Sequence, residues 1–351
     1  IIGYSIASTG NYFTQILFFL SFIMMSFVDT YIDRKRKRIL VYWLTTIIVI
    51  NLFDNIFLNQ QFQDASTLIF TSSGSELLKT NVGATTFDAM IFLMSGIILI
   101  ILLQKQKFIL KITLAISIVG SIYLIFYLHS RATSSVLTVI MLILIICEKS
   151  LGSMNKAKKI LLYALIVIGI FAFLSPILEY MVSLISNQRI STRLASLLNF
   201  TKGNDIAFIS GDDSFGTRLY LAKTSINTFF HNLQNFIIGS GYNLKTYSSM
   251  SEMIANTGVG YHAELIDLFA IYGIIGGLIV FGILKEYARI LRELFNEYSA
   301  KSQLMIVYYM FIVYSFLNLS FYSELGIVIV ILLPFVPAQF KSREDISKFV
   351  K

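Results

Sequence analysis

Nine long apolar stretches alternate with shorter polar segments along the 351 residues. They run over roughly 11–32, 39–58, 86–104, 108–129, 132–147, 160–178, 263–284, 302–321 and 325–340. A helix needs about 20 apolar residues to cross the hydrocarbon core of a bilayer. Backbone groups in lipid must be satisfied within the segment, so these stretches predict helices rather than open strands. The segments 132–147 and 325–340 are short, which suits a thinned or protein-covered region. Pro334 and Pro337 should bend the last one. The pattern predicts an all-α polytopic membrane protein of about nine spans, a single transmembrane domain over 1–351, with no internal repeat.

The chain is 56% apolar and 14% charged, less polar than a soluble protein of this length requires. Its charges then orient it. Five segments, Arg34–Arg38, Lys105–Lys111, Lys149–Lys159, Lys285–Lys301 and Lys341–Lys351, hold 20 of the 28 Lys and Arg residues. They fall in every second loop, giving that side a net charge of +12 and the other −4. Basic loops stay in the cytoplasm, so this side is read as cytoplasmic, with the tail 341–351 on it. The same alternation assigns the basic excess to anionic lipid rather than nucleic acid. The chain begins at Ile1, and residues 1–28 carry no charge, which we read as a truncated N-terminus with at least one span ahead of it. The one cysteine, Cys147, allows no intrachain disulfide.

Two outer loops are long. Residues 59–85 are polar, and 179–261 run 83 residues without a crossing, a length that calls for a role. Within the second, Ile190, Leu194, Leu197 and Leu198 recur at helical spacing beside Arg189 and Arg193, which predicts an amphipathic helix on the membrane surface. A further helical stretch runs from about Arg218 to Ile238 and ends at Gly239-Ser240-Gly241. His129, His231 and His262 all fall on the outer face, as do Arg131, Arg189, Arg193 and Arg218. Outer arginines run against the positive-inside rule, and the guanidinium is the side chain best shaped for phosphate. Arg131, in a tight turn between two spans, has two readings: snorkelling to headgroups, or holding a phosphate. His262 opens the seventh span, where the helix-end field favours neutral imidazole, so it reads either as a general base or as an interfacial His bonded to its neighbours. Asp212-Asp213 reads as solvated, Asp54 sits late in the second span, and no outer segment has the spacing of a metal site. Gly239-Ser240-Gly241 is too short to read as a phosphate loop.

The stretch His262-Ala263-Glu264-Leu265-Ile266-Asp267 through Gly273-Ile274-Ile275-Gly276 resembles the bacterial O-antigen ligase and O-antigen or capsule polymerase superfamily, which places a His at the outer end of a span followed by an apolar helix with G-x-x-G. Arg218-Leu219-Tyr220 through Gly239-Ser240-Gly241 is similar to that family's arginine-led helix closing in G-x-G. Ser130-Arg131-Ala132 is similar to its S-R-(G/A) turn. The three elements come in the family's order over about 108–300. Ligases carry Asn, Ser or Gln after the His; Ala263 stands here, which leaves a Wzy-type polymerase or a more distant member.

The resemblance implies a metal-independent membrane glycosyltransferase without a cofactor. It would move a glycan from undecaprenyl pyrophosphate to another lipid-linked repeat unit, on the outer face of the bacterial cytoplasmic membrane, in capsule, O-antigen or exopolysaccharide synthesis. His262 would be the catalytic base, and Arg131, Arg218, Arg189 and Arg193 would bind the pyrophosphate. A chain-length regulator is a further implied partner, alongside the bilayer; nucleic acid is not one. A ligase would share this site. A transporter or flippase would instead show ionisable residues in mid-span and broken helices in an inverted repeat, and neither is evident in the sequence.

Overall fold

The computed structural model describes residues 32–61, 84–104, 108–123, 132–151, 154–184, 195, 198–199, 215–241, 250–296, 298–318, 320 and 332–340. They form helices α1 (Arg34–Gln61), α2 (Ala84–Leu102), α3 (Phe108–Tyr123), α4 (Ala132–Ser150), α5 (Lys156–Leu184), α6 (Phe215–Phe229), α7 (Leu233–Ile238), α8 (Met250–Thr257), α9 (Glu264–Leu294) and α10 (Lys301–Ser315). A 3₁₀ turn, Val336–Gln339, follows. The described residues contain no β-strand, so the fold is all-α. Among them one helix, α9, is long and apolar enough to cross a membrane, with a mean hydropathy of 2.2 over an 18-residue window.

The core forms around α2. Residues 91–100 of this helix are all buried, because α3, α4 and α10 pack around it. A helix apolar on every face needs such a wrapping. Phe92 of α2 stacks on Tyr314 of α10 with ring centroids 4.9 Å apart, and the Tyr314 hydroxyl lies 3.2 Å from that of Ser134 on α4. Tyr308 of α10 donates to the Leu284 carbonyl of α9 at 2.6 Å. At the basic end, Lys159 of α5 bonds Glu148 of α4 at 2.8 Å, and the Tyr163 hydroxyl donates to the same carboxylate. Burial raises the Glu148 carboxyl, but Lys159 and Tyr163 outweigh it and hold the group below its usual range.

Several expectations are corrected. The single helical stretch expected over 218–238 is two helices, because Asn232 is extended and caps α7, its side chain accepting from the Asn235 N–H at 2.7 Å. The loop expected from 179 begins later, since α5 runs on to Leu184. The span expected over 302–321 stops at Ser315, where bonds from Phe316 to Val313 and from Leu317 to Tyr314 tighten the last turn. Of the stretch expected over 325–340, residues 325–331 lie outside the described residues; 332–335 form a helical turn that passes into the 3₁₀ turn containing Pro337.

The largest correction is in α9. The sequence shows no broken helix, yet Gly273 has φ 66° and ψ −168° and divides α9 in two. Such a kink frees carbonyls of the preceding turn. Those of Ala270 and Ile271 are taken by the N–H groups of Ser240 and Gly241, at 2.9 and 3.0 Å. The approach is too close for side chains: a Cβ on Gly273 would stand 2.3 Å from the Ile237 carbonyl oxygen, and one on Gly239 would stand 2.1 Å from that of Ile271.

Candidate functional site

Helix α6 carries Arg218, Leu221, Ala222, Ser225 and Phe229 at one-face spacing, and all five are buried. This face packs on α9. Arg218 is therefore on the packed side of its helix at 7% exposure, rather than turned to solvent. A guanidinium at that depth requires partners, and Arg218 has them.

The loop between α8 and α9 is stitched to the same face. Thr228 donates its hydroxyl to the Gly258 carbonyl at 2.6 Å. The Gly260 N–H donates to the Ser225 hydroxyl oxygen at 2.8 Å, and a Cβ on Gly260 would lie 2.3 Å from the Leu221 carbonyl oxygen. Ser225 in turn donates to Asp267 Oδ1 at 2.5 Å. The other oxygen, Oδ2, accepts the Ala263 N–H at 2.9 Å. Asp267 thus reaches back over the first turn of α9 to hold the residue that caps it, an arrangement the helix-end field also favours. Glu264, 2% exposed, accepts from the N–H and hydroxyl of Ser320 beyond α10.

His262 lies between Tyr261 and Ala263 on this clamped loop and is half-buried. Its Nδ1 is 2.9 Å from the Tyr261 carbonyl oxygen, which can only accept, so in the neutral ring Nδ1 carries the proton and Nε2 keeps its lone pair. Tyr261 itself has φ 55°, the one positive φ at a residue other than glycine among those described. Backbone in that region costs of the order of 1–3 kcal/mol and persists where surrounding contacts impose it. Here they do: hydrogen bonds fix the chain at Gly260 and Ala263, on either side of the strained residue.

Of the residues expected at the site, Arg218 and His262 are described, and both belong to the packed unit of α6, the 258–263 loop and α9. Arg218 stands one turn before Leu221, whose carbonyl abuts Gly260, two residues from His262. Arg131, Arg189 and Arg193 lie outside the described residues, as do His129, Asp212 and Asp213, and so does the side chain of Asp54. The predicted amphipathic helix is described only at residues 195 and 198–199, which are helical. His231 is exposed at the α6–α7 turn. No group of three or more His, Cys, Asp and Glu side chains is gathered as for a metal ion among the described residues.

Sequence reasoning passed over Ser225 and Asp267, which bind the site together. A serine seven residues after Arg218 is on the same helical face, and that spacing was the available signal. It also left the two glycine motifs without a joint role. Gly239-Ser240-Gly241 and Gly273 meet, and the N–H groups of Ser240 and Gly241 are bonded to carbonyls of α9 rather than held ready for phosphate. The chain matches no protein-family model, and no curated protein aligns with it significantly.

Proposed function

We propose that the chain is a membrane-embedded polysaccharide polymerase. It takes a glycan from undecaprenyl pyrophosphate and joins it to a hydroxyl of another lipid-linked repeat unit, on the outer face of a bacterial cytoplasmic membrane. The membrane part of this reading, about nine spans with basic loops inside, is supported by large apolar side chains left open on several helices. Trp43 and Ile50 of α1, Ile160 and Ile168 of α5, and Leu278 of α9 are each more than 60% exposed. Surface of this kind on several helices suits lipid better than water.

The observation that carries the enzymatic reading is the unit that holds Arg218 and His262. A buried arginine lies on the face of α6 that packs on α9, and a half-buried imidazole lies on the loop that Ser225 and Asp267 fasten to that face. In the proposed reaction the acceptor hydroxyl attacks the anomeric carbon of the donor. The bond from that carbon to pyrophosphate oxygen breaks, and the proton passes to Nε2 of His262. Arg218, with Arg131, Arg189 and Arg193, would hold the pyrophosphate and offset the charge that grows on it as it leaves.

A ligase acting on another acceptor would use the same groups. A transporter is the second reading, and the break at Gly273 favours it, because discontinuous helices are a transporter device. Against that, the carbonyls of Ala270 and Ile271 are occupied by Ser240 and Gly241. The test is turnover of purified undecaprenyl-pyrophosphate oligosaccharide, normalised to folded protein. His262→Ala should lower turnover by on the order of 10²–10⁴-fold while substrate still binds. Equal turnover would remove His262 from the mechanism. Flux of intact substrate across a vesicle, with no polymer formed by the wild type, would favour the transporter.

A further inference from the structure

Between Lys223 and Lys245 the chain carries no Asp, Glu, Lys or Arg, a stretch that runs from the middle of α6 through α7. Where α6 turns into α7, large apolar side chains stay uncovered. Phe230 is 66% exposed, Leu233 74% and Ile238 55%, and no residue of α7 is buried. Several polar groups of the same elbow are bonded within it or to α9. The Asn235 amide donates to the Thr228 carbonyl at 3.0 Å, the Asn232 side chain accepts the Asn235 N–H, and the N–H groups of Ser240 and Gly241 reach α9 carbonyls. Irregular backbone inside a bilayer requires bonds of this kind, because lipid offers none.

Depth follows from α9, the described helix long and apolar enough to cross a membrane. Its uncharged run is Leu268–Leu284. Ser240 and Gly241 bond to Ala270 and Ile271, and the Ile237 carbonyl abuts Gly273. Those three α9 residues lie two to five positions inside the Leu268 end of the run, about 3–8 Å along the axis at about 1.5 Å per residue. Phe229, at the end of α6, meets Phe269 at the same level, with ring centroids 5.7 Å apart. Helices that lie in the plane of a membrane sink their apolar face about 5–10 Å into the acyl boundary. The uncovered apolar surface of α9 itself, Ile275, Leu278 and Ile279, begins just past the joint with α7. An apolar surface extended over both elements at one depth is what hydrocarbon covers.

We propose that the α6–α7 elbow is immersed in the outer leaflet, with Phe230, Leu233 and Ile238 among the acyl chains, rather than standing outside the bilayer as part of an external loop. The proposal rests on the reading of α9 as a span whose Leu268 end faces outward. Its consequence is a fixed height for the loop that carries His262. Ser225 and Thr228, on the turns of α6 before the elbow, hold that loop at Gly260 and Gly258. An elbow anchored in hydrocarbon therefore keeps the loop at the membrane boundary.

The experiment uses the full chain, carrying Cys147→Ser, in vesicles of phosphatidylcholine and phosphatidylglycerol. A nitroxide is attached singly at Leu233→Cys, Ile238→Cys, Leu278→Cys or Arg289→Cys, all exposed positions where a label disturbs little packing. Its collisions are compared with oxygen, which concentrates in hydrocarbon, and with a water-soluble nickel chelate. The oxygen-to-nickel ratio at Leu233 and Ile238 should match that at Leu278 and exceed that at Arg289 several-fold. Nickel prevailing at Leu233 and Ile238 while Leu278 reads hydrocarbon would overturn the immersion and leave α9 as a span. Nickel prevailing at Leu278 as well would remove the span and the immersion with it. Low access to both reagents at Leu233 and Ile238 would overturn the lipid contact in favour of a covering protein, such as a second copy of the chain.

Discussion

Before Gly273, α9 keeps Leu265, Asp267, Leu268 and Ala270 at 4% exposure or less; after it, Ile275, Leu278 and Ile279 stand 50–64% exposed. The first half is held by polar bonds from elsewhere in the chain: Ser225 to Asp267, Ser320 to Glu264, and Ser240 and Gly241 to the carbonyls at the break. The second half is held mainly by apolar packing on α10, with one buried hydrogen bond from Tyr308 to the Leu284 carbonyl, and its ion pairs are at the surface, where Arg289 bonds Glu286 and Glu293. One helix thus has a half specified by directed hydrogen bonds and a half specified by packing. Directed bonds fix the orientation of the groups they join, which a loop proposed for catalysis needs; packing fixes position by shape alone. The residues proposed for chemistry are attached to the first half.

The comparison breaks most decisively at the joint. Gly273→Val places a side chain at positive φ and against the Ile237 carbonyl. It should destabilise the protein by about 3 kcal/mol or more, adding a steric clash to the backbone strain. Gly282→Ala, in the second half with nothing within 4 Å of the new methyl, should stabilise by up to about 1 kcal/mol. Thermal unfolding in detergent, followed by intrinsic fluorescence, reads both. If the two variants unfold alike, the break is not a fixed part of the fold.

Next in size is the clamp. Ser225→Ala leaves Asp267 Oδ1 and the Gly260 N–H without their shared partner in a buried place. The expected loss is about 1–3 kcal/mol. On the proposed reading, turnover per folded molecule should also fall, because the loop bearing His262 loses its registration with α6. A stability loss with unaltered turnover would separate the clamp from the chemistry.

These tests follow from features that the sequence shows unevenly. Within the described residues the apolar stretches read directly as helices, and α1, α2 and α4 cover the stretches where the pattern places them, because period and length are local properties. The break at Gly273 was not legible. A glycine inside an apolar run costs a helix only about 1 kcal/mol, so it signals a break weakly, and the compensating N–H groups come from 30 residues upstream. Arg218 and His262 were legible as residue types in place. Their link through Ser225 and Asp267 was not, since it depends on which face of α6 meets α9. Asp267 in particular reads from sequence as an ordinary acid in the first turn of a helix.

The ion pairs at the basic end span a moderate effect and a negligible one, and there the comparison can be sharpened by pH. Glu148 and Lys159 have side chains only 8% and 15% exposed, whereas Arg289 and its partners are more than half exposed. Glu148→Gln should cost about 2 kcal/mol, because Lys159 is left half-satisfied in a protected place. Arg289→Ala should leave the unfolding temperature unaltered, since exposed pairs are screened by water and salt. The sign of the pH effect follows from the direction in which Glu148 is displaced. Its carboxyl is held below the usual value of 4.5, so its contribution is complete above that pH and is lost as pH falls through the lower folded-state value. The wild type should therefore lose stability on acidification below the usual value, and the difference between wild type and Glu148→Gln should shrink over that same range. The measurement is unfolding of both proteins across that window in one detergent. A difference that stayed constant down to the lowest pH would show that Glu148 acts through packing rather than through its charge.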